Sequence, residues 1–466
     1  MPLLAARSSE RSVPVWFVTS DDWQTRAAAL PPMAAAFARA SGFEPRAGRH
    51  CILPDAEGGL AGVLFAIEAA DARYVDPFLA GKLATILPAG LYRFADALPG
   101  GAPAAELAAL GWCLSAYRFT RYKAQAGEAP RLVCPDGVDA ARVTRMAEGV
   151  TLARDLVNTP ANDMGPGALE KAVQDLAARH GATCSSIMGD ELLAQNFPLI
   201  HAVGRAAEEA PRLVDFSWGP EDGLKVTLVG KGVCFDTGGL DIKPSIAMLL
   251  MKKDMAGAAT ALALAHMIMD AKLPVRLRVL VPIVENSIAG NAFRPGDVYP
   301  SRKGLNVEIG NTDAEGRLIL ADALSLAAEE NPALLFDFAT LTGAARVALG
   351  PDLPPFYTDD DALAAEIAGT GTRVHDPVWR MPLWEPYDSL LDGKISQLNN
   401  VSNGPFAGSI TAALFLRRFA EGAGAWVHFD IYGWMPSTKP GRPEGGETQT
   451  ARLLYELLER RVQKQA

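Results

Sequence analysis

Apolar residues recur along this chain with two different spacings. Some runs have the three-to-four-residue spacing of a helix face, and others are short continuous stretches typical of buried strands. From residue 166 onward the two kinds alternate: helical runs lie at 168–180, 256–270, 318–330 and 408–419, and strand runs at 224–230, 275–282, 333–339 and 425–431. Strands joined by helices of this length need crossover connections, which predicts an α/β fold with a mostly parallel sheet flanked by helices.

The first part of the chain has a different pattern. Between residues 13 and 122, short apolar stretches such as 15–18 and 60–66 are separated by Gly, Pro and acidic turns, which predicts a smaller α/β domain. The run 139–158 has helical spacing and stops before Pro160. We therefore predict an N-terminal α/β domain at 1–136, a linker helix at 137–164 and a main domain at 165–466.

Composition agrees with a two-domain globular protein. The chain has 466 residues, 49% of them apolar and 21% charged, as in ordinary soluble domains. The formal net charge of -10 weighs against nucleic acid as a partner, since phosphate binding needs a basic surface. Five cysteines without any Cys-x-x-Cys pair indicate a reducing compartment. No signal sequence or membrane-length apolar run is present, so we expect a cytoplasmic protein with no membrane partner.

The segment 311–318, Asn-Thr-Asp-Ala-Glu-Gly-Arg-Leu, concentrates reactive side chains. Asp313 and Glu315 follow a short apolar run at 305–309, and Arg317 comes directly after them. In parallel sheets, active groups lie in loops at the carboxyl ends of strands. The segment therefore has the residue types and the predicted placement of a hydrolytic metal site.

A second group of charged residues lies upstream. Lys231 and Asp236 follow the predicted strand 224–230, and Lys243 and Asp254 come soon after. Two metals that share a substrate and a water lie about 3.5–4 Å apart and are bridged by carboxylates. Each acid alone is more often a helix cap, a turn residue or a solvated side chain, but four acids on neighbouring loops favour a two-metal centre.

The segments 231–255 and 311–318 together resemble the leucyl aminopeptidase family of dimetal exopeptidases. Stretches 154–162 and 339–344 are also similar to that family. The resemblance implies that 165–466 is a catalytic domain that removes the N-terminal residue from peptides. It also implies a cytoplasmic homohexamer with two divalent metal ions, Mn²⁺ or Zn²⁺, in each subunit.

The resemblance also assigns roles to individual residues. It implies that Asp236 and Glu315 bridge the metals, that Lys231 and Asp254 complete the tighter site, and that Asp313 serves the more exchangeable one. A lysine binds metal only as the neutral amine, so the metals must displace its proton. Lys243 is expected to stabilise the oxyanion, and Arg317 to hold a bicarbonate ion that acts as general base.

Substrate neighbours follow from the same resemblance. Met251 and Ala314 suggest an apolar pocket for the first side chain, so we expect a preference for Leu and other apolar or neutral residues. The full set of expected substrate-binding residues is Met251, Asn311, Ala314, Thr340 and Leu341.

Several alternatives stay open at this point. Arg317 can instead form a structural salt bridge, and Asp254 can cap the helix 256–270. Some relatives in the family combine peptidase activity with DNA binding, so a DNA-binding hexamer is the alternative function, which the acidic charge disfavours. A catalytically inactive scaffold is disfavoured because the motif positions are all present. The six histidines form no ligand-spaced pair, which disfavours a His-based zinc protease.

Overall fold

The computed structural model describes residues 3–6, 10–69, 71–124 and 127–465. The chain forms two compact units: the first is Met1–Thr151 with Ser437–Glu444, and the second is Leu152–Pro436 with Gly445–Ala466. The division falls inside one long helix, Ala140–Asn158. Among the described residues, no helix combines the length and apolar character needed to cross a membrane.

The first unit is a six-stranded sheet with helices. Neighbouring strands in this sheet pair in parallel, except that the edge strand His50–Pro54 is antiparallel to Leu60–Ala66. Across the sheet the strands are Leu4–Ala5, Arg131–Val133, Leu91–Phe94, Val13–Val18, Leu60–Ala66 and His50–Pro54. The helices are Trp23–Ala29, Pro32–Ala40, Leu83–Ile86 and Gly101–Ser115, with a 3₁₀ turn at Leu79–Lys82.

The second unit contains a nine-stranded sheet. Its main path runs through Trp379–Arg380, Pro355–Tyr357, Ala425–Asp430, Leu334–Ala339, Leu224–Gly230, Val275–Asn286, Arg212–Trp218 and Thr183–Met188, and Gly232–Asp236 pairs with part of Val275–Asn286. The four central strands are parallel. All six residues of Leu334–Ala339 are buried, as expected for a strand covered on both faces. The predicted α/β class with a mostly parallel sheet is confirmed.

Helices cover the sheet of the second unit. They are Pro166–His180, Glu191–Ala194, Pro198–Gly204, Ser245–Met248, Ala256–Asp270, Gly316–Glu329, Gly343–Leu349, Asp361–Arg373, Gly408–Arg417 and Ala451–Gln465, with 3₁₀ turns at Met251–Met255 and Glu385–Leu391. Ala256–Asp270 lies very close to the sheet, because a Cβ on Gly257 would stand 2.1 Å from the Phe338 carbonyl oxygen. Small residues thus bring the preceding 3₁₀ turn against the strand ends.

Two small sheets complete this unit. One contains Val298–Pro300, Asn306–Glu308 and Leu398–Asn399, and the other Trp434–Met435 and Gly445–Gly446. The apolar run at 305–309 therefore belongs to a separate three-stranded sheet and not to the main one. The strand within this run, Asn306–Glu308, has three residues and does not join the nine-stranded sheet. The loop after it still reaches the ends of the central strands.

Candidate metal centre

Three carboxylates converge where the central strands end. Asp236, Asp313 and Glu315 each offer an oxygen, and these oxygens all lie within 4.8 Å of one another. Asp236 is the last residue of strand Gly232–Asp236, and Glu315 immediately precedes helix Gly316–Glu329. The sequence thus places both acids at element ends, and the fold brings the ends together.

Lys231 links this group to a fourth carboxylate. Its Nζ lies 2.8 Å from Asp254 Oδ2 and 2.9 Å from Glu315 Oε1, and all three residues are at most 3% exposed. Gly316 is required for this arrangement, since a Cβ there would stand 2.6 Å from Lys231 Cε. Any larger residue at position 316 would displace the lysine.

Lys243 closes the other side of the cluster. Its Nζ lies 2.8 Å from Asp236 Oδ2 and also pairs with Asp313 Oδ1. Four carboxylates therefore surround two ammonium groups. In the protein alone, the lysines supply the positive charge that this concentration of carboxylates demands.

The pKa values reflect this crowding. Burial raises the pKa of Glu315 to about 8, and the Asp236 carboxylate adds to the effect while Lys231 opposes it. Burial and Asp236 also raise the pKa of Asp313, to about 6. Burial would lower the pKa of Lys231, but the carboxylates of Asp254, Glu315 and Asp236 outweigh it and raise the pKa above its usual value. The group is a strong site for cations.

The carboxylates of this site are suitable ligands for divalent metal ions. Glu315 is 1% exposed, yet neither of its carboxylate oxygens accepts a hydrogen bond from any described residue. Its side chain also makes no capping bond to the helix that follows. The N-cap of helix Ala256–Asp270 is Met255, without a side-chain bond, so Asp254 does not cap that helix. Buried carboxylate oxygens without donors are the ligands that a hard divalent cation requires.

A surrounding set of hydrogen bonds fixes these ligands. Asn286 Nδ2 donates to Asp236 Oδ1 at 2.8 Å, and Thr340 Oγ1 donates to Asp254 Oδ1 at 2.6 Å. Sequence reasoning missed Asn286 because it comes at the end of a 12-residue strand, 50 positions from Asp236. Partners of this kind orient metal ligands and are part of the site.

The two ligand-bearing loops are also tied to each other. The Thr312 N–H donates to Asp241 Oδ2 at 2.8 Å, and the Asp241 N–H donates to Thr312 Oγ1 at 2.9 Å. Gly239, with φ +64°, lies beside this pair, and a Cβ there would stand 2.9 Å from Thr312 Oγ1. Asp236 and Asp313 are therefore held at a fixed separation by their own loops.

Arg317 is buried at 7% exposure beside the carboxylates. Its Nη1 donates to the Asn400 carbonyl oxygen at 2.7 Å, whereas its Nε meets no acceptor among the described residues. Burial lowers its pKa to about 10, against the opposing effect of Glu315 and Asp430. Arg317 forms no ion pair with a described carboxylate, so the structural salt bridge considered as an alternative is not seen.

A cavity of about 160 Å³ opens beside the cluster. It contacts the predicted ligands Lys231, Asp236, Asp254, Asp313 and Glu315, together with Lys243, Met251, Thr340 and Leu341.

The remaining predicted residues do not line this cavity. Asn311 and Ala314 instead support the loop: Asn311 Oδ1 accepts from the Asp313 N–H at 2.7 Å. Asn400 Nδ2 donates to the carbonyl oxygens of Asn311 and Ala314 at 2.7 and 3.3 Å. Arg317 also lies outside the lining.

Buried Lys253 and exposed Arg346 lie at another part of the cavity wall. Burial lowers the pKa of Lys253 to about 7, although the Asp254 carboxylate opposes the effect. Neither residue was among those expected to bind substrate. A lysine within a charged Met-Lys-Lys-Asp run gives no signal that its side chain is buried.

Comparison with known proteins identifies the family. The family model "Cytosol aminopeptidase family, catalytic domain" matches residues 151–455, and "M17 aminopeptidase, N-terminal domain" matches residues 13–135. The chain is 39% identical over 382 residues to a probable cytosol aminopeptidase of Syntrophotalea carbinolica, covering 78% of this chain and 76% of that one.

Solved structures are similar over almost the whole length. The crystal structure of a cytosol aminopeptidase from Coxiella burnetii matches with a TM-score of 0.93 and 42% identity, covering 99% of both chains. The bottromycin maturation enzyme BotP in complex with Mn matches with a TM-score of 0.85 and 32% identity, covering 97% of this chain and 99% of that one. The family inferred from the motifs is thereby confirmed: the chain belongs to the cytosol aminopeptidase family of metal-dependent aminopeptidases and is a hydrolase.

Proposed function

We propose that this enzyme removes the N-terminal residue from peptides with two divalent metal ions, Mn²⁺ or Zn²⁺, and prefers Leu and other apolar or neutral residues. The observation that carries the proposal is the buried Glu315 carboxylate, whose oxygens accept no well-aligned hydrogen bond from the described residues and which contacts the Lys231 ammonium. The residues that would hold the metals are Lys231, Asp236, Asp254, Asp313 and Glu315. When bound, such metals activate a water and polarise a carbonyl.

The chain's own residues then have separate tasks. The Lys231 amine must lose its proton to act as a ligand, which the surrounding carboxylates oppose in the protein alone. Lys243 is held at the edge of the cluster by Asp236, where its ammonium group can stabilise negative charge on the scissile carbonyl oxygen. Met251 contributes an apolar wall next to the cluster.

Arg317 is the residue that would hold bicarbonate. Its Nε is a buried donor without an acceptor, and a planar oxyanion matches the guanidinium fork. Arg317 would hold the bicarbonate beside the carboxylates, and the chemistry supplied there would be that of a general base, which accounts for a hydrolytic motif without a histidine. We therefore propose bicarbonate as the general base and Arg317 as the residue that binds it.

The first experiment compares two peptides. Metal-stripped protein is reconstituted with Mn²⁺ or Zn²⁺ and offered Leu-Gly-Gly and its N-acetylated form. We expect leucine to be released from the free peptide alone and only with metal, because the free amine is needed as a ligand. Cleavage of the acetylated peptide, or release of leucine without metal, would contradict the proposal.

Assembly and location belong to the same proposal. We expect a homohexamer in the cytoplasm. The location agrees with the word cytosol in the names of the relatives, and light scattering that gives the mass of a monomer would refute the assembly. The DNA-binding alternative is not carried forward, because the relatives that match the chain are named as aminopeptidases.

A further inference from the structure

The cavity beside the carboxylates has a second charged wall that the proposed mechanism does not use. Lys253 Nζ donates to the Tyr432 carbonyl oxygen at 2.8 Å and lies 4.5 Å from the centre of the Tyr432 ring. The Arg346 guanidinium carbon lies 4.8 Å from the same ring. All three residues line the cavity that also contacts Lys231 and Asp254.

These two cations differ from the lysines of the metal centre. Lys231 and Lys243 each pair with two carboxylates, whereas neither Lys253 nor Arg346 forms an ion pair with any described residue. Lys253 is 3% exposed, and within the described part of the chain only one of its three possible hydrogen bonds is made. Buried charges are normally paired. An anionic group in the cavity would supply the missing partner of Lys253 and would favour its charged form.

We propose that Lys253 and Arg346 form a subsite that binds a carboxylate group of the peptide substrate. This inference rests on the proposed function, because it uses the same cavity. The group is either the side chain of an N-terminal Glu or Asp, or the free C-terminal carboxylate of a short peptide. Both present the same planar anion to an ammonium and a guanidinium group. Tyr432 and Met251 also line the cavity and can contact apolar side chains, so acidic substrates extend the range and do not replace leucine.

The neighbouring Lys252 provides a matched control. Its Nζ donates to the Asn158 carbonyl oxygen at 2.7 Å and lies 5.4 Å from the Trp434 ring, much as Lys253 does with Tyr432. Lys252 does not line the cavity. Lys252→Met and Lys253→Met therefore remove the same kind of interaction, and only the second removes charge from the cavity.

The test measures kcat/KM of the metal-loaded enzyme for two pairs of peptides. Glu-Gly-Gly-amide and Gln-Gly-Gly-amide differ only in side-chain charge, and Leu-Gly and Leu-Gly-amide differ only in terminal charge. For each pair, the ratio of kcat/KM for the acid to kcat/KM for its amide reports on charge recognition. In Lys253→Met we expect this ratio to fall about tenfold to a hundredfold for one of the two pairs, the usual effect of losing a charge-assisted hydrogen bond. Arg346→Gln should lower the same ratio about threefold, since exposed charges contribute less. Lys252→Met should leave both ratios unchanged.

Glutarate gives a second readout that does not require cleavage. Its calorimetric Kd for metal-loaded protein should rise about tenfold or more in Lys253→Met and stay unchanged in Lys252→Met, because any binding to the metals is common to both variants. Arg346 is exposed, so Arg346→Gln should fold normally. It can be measured in place of Lys253→Met if that variant does not fold.

The outcomes separate the two proposals. A fall in the Glu-to-Gln ratio identifies the side chain as the ligand, and a fall in the Leu-Gly ratio identifies the C-terminus. Unchanged ratios together with an unchanged glutarate Kd would overturn the anion subsite. Failure of the unaltered enzyme to cleave Leu-Gly-Gly would overturn the proposed function, and the glutarate titration would still decide the subsite.

Discussion

Two buried carboxylates near the same helix have opposite surroundings. Glu315 immediately precedes helix Gly316–Glu329, and Asp322 lies in its second turn, with 1% and 0% of their surfaces exposed. Burial raises both pKa values, that of Glu315 to about 8 and that of Asp322 to about 7. Asp322 accepts hydrogen bonds from three backbone N–H groups, those of Leu199, Ile200 and Arg302. Glu315 accepts none from the described residues.

The difference separates structural acids from candidate ligands. Burial and a raised pKa are common to both residues, so neither property identifies a metal site. The hydrogen-bond partners do: Asp322 joins the start of helix Pro198–Gly204 to the turn at Arg302, whereas Glu315 lies among other carboxylates and contacts the Lys231 ammonium. A buried acid whose oxygens are already used by the backbone stabilises the fold, and one whose oxygens are left over is available for a cation.

The largest effect is expected from Glu315→Gln. The amide removes one charge from the centre and leaves a weaker ligand, so several kcal/mol of metal catalysis are lost and kcat/KM should fall at least about a thousandfold. Metal content by mass spectrometry under native conditions should fall in parallel. Circular dichroism should be unchanged, since no described backbone group donates to the Glu315 side chain. A variant that keeps both metals and full activity would show that Glu315 is not a ligand.

Arg317→Ala tests the same principle for a buried donor. Its Nε is unused by the described protein, as the Glu315 oxygens are. A held general base contributes about a hundredfold or more to rate, so kcat should fall about a hundredfold while metal content stays normal. The loss should be smaller for Arg317→Lys. We expect added bicarbonate to stimulate the unaltered enzyme and to have no effect on Arg317→Ala. Normal turnover with normal metal content would refute the base-holding role.

Asp322→Asn should affect stability and not chemistry. The Asn amide places an NH₂ group against backbone N–H donors, so at least one buried donor loses its acceptor. The expected decrease in the free energy of unfolding is about 2–4 kcal/mol, measured by urea denaturation of metal-stripped protein. The kcat/KM of the folded, metal-loaded variant should stay within about twofold of the unaltered enzyme. A large loss of kcat/KM at full metal content would place Asp322 in the catalytic machinery.

The sequence predicts the long elements well and the short ones poorly. The predicted helix 256–270 and strand 224–230 match Ala256–Asp270 and Leu224–Gly230, because each has a long, uniform apolar pattern. The edge strand Thr183–Met188 was not predicted: its partly exposed residues give no continuous apolar run. Strand Gly232–Asp236, which carries a ligand, was missed since Lys231 interrupts the apolar pattern just before it.

The candidate site shows the same division. The motif residues Asp236, Asp313 and Glu315 come together, as their residue types and the resemblance to the family predicted. Asn286 could not be predicted, because its contact with Asp236 depends on strand pairing. Lys253 could not be predicted either, because only the folded structure shows which of two adjacent lysines faces the cavity.

The smallest expected effect is the pH dependence that Asp322 gives to stability. Burial raises its folded pKa to about 7, although the backbone N–H donors oppose the effect, whereas an aspartate in an unfolded chain titrates at about 4. The unfolded chain therefore loses the proton first, so the contribution of Asp322 to the free energy of unfolding falls as pH rises from about 4 to about 7 and is constant above that. Asp322→Asn lacks this titration, so its stability deficit should be largest near pH 4 and should shrink as pH rises through that window. Urea denaturation of both metal-stripped proteins at several pH values measures the deficit directly. A deficit independent of pH would mean that three backbone donors keep Asp322 ionised despite burial, and hydrogen bonding would then distinguish it from Glu315 in charge as well as in partners.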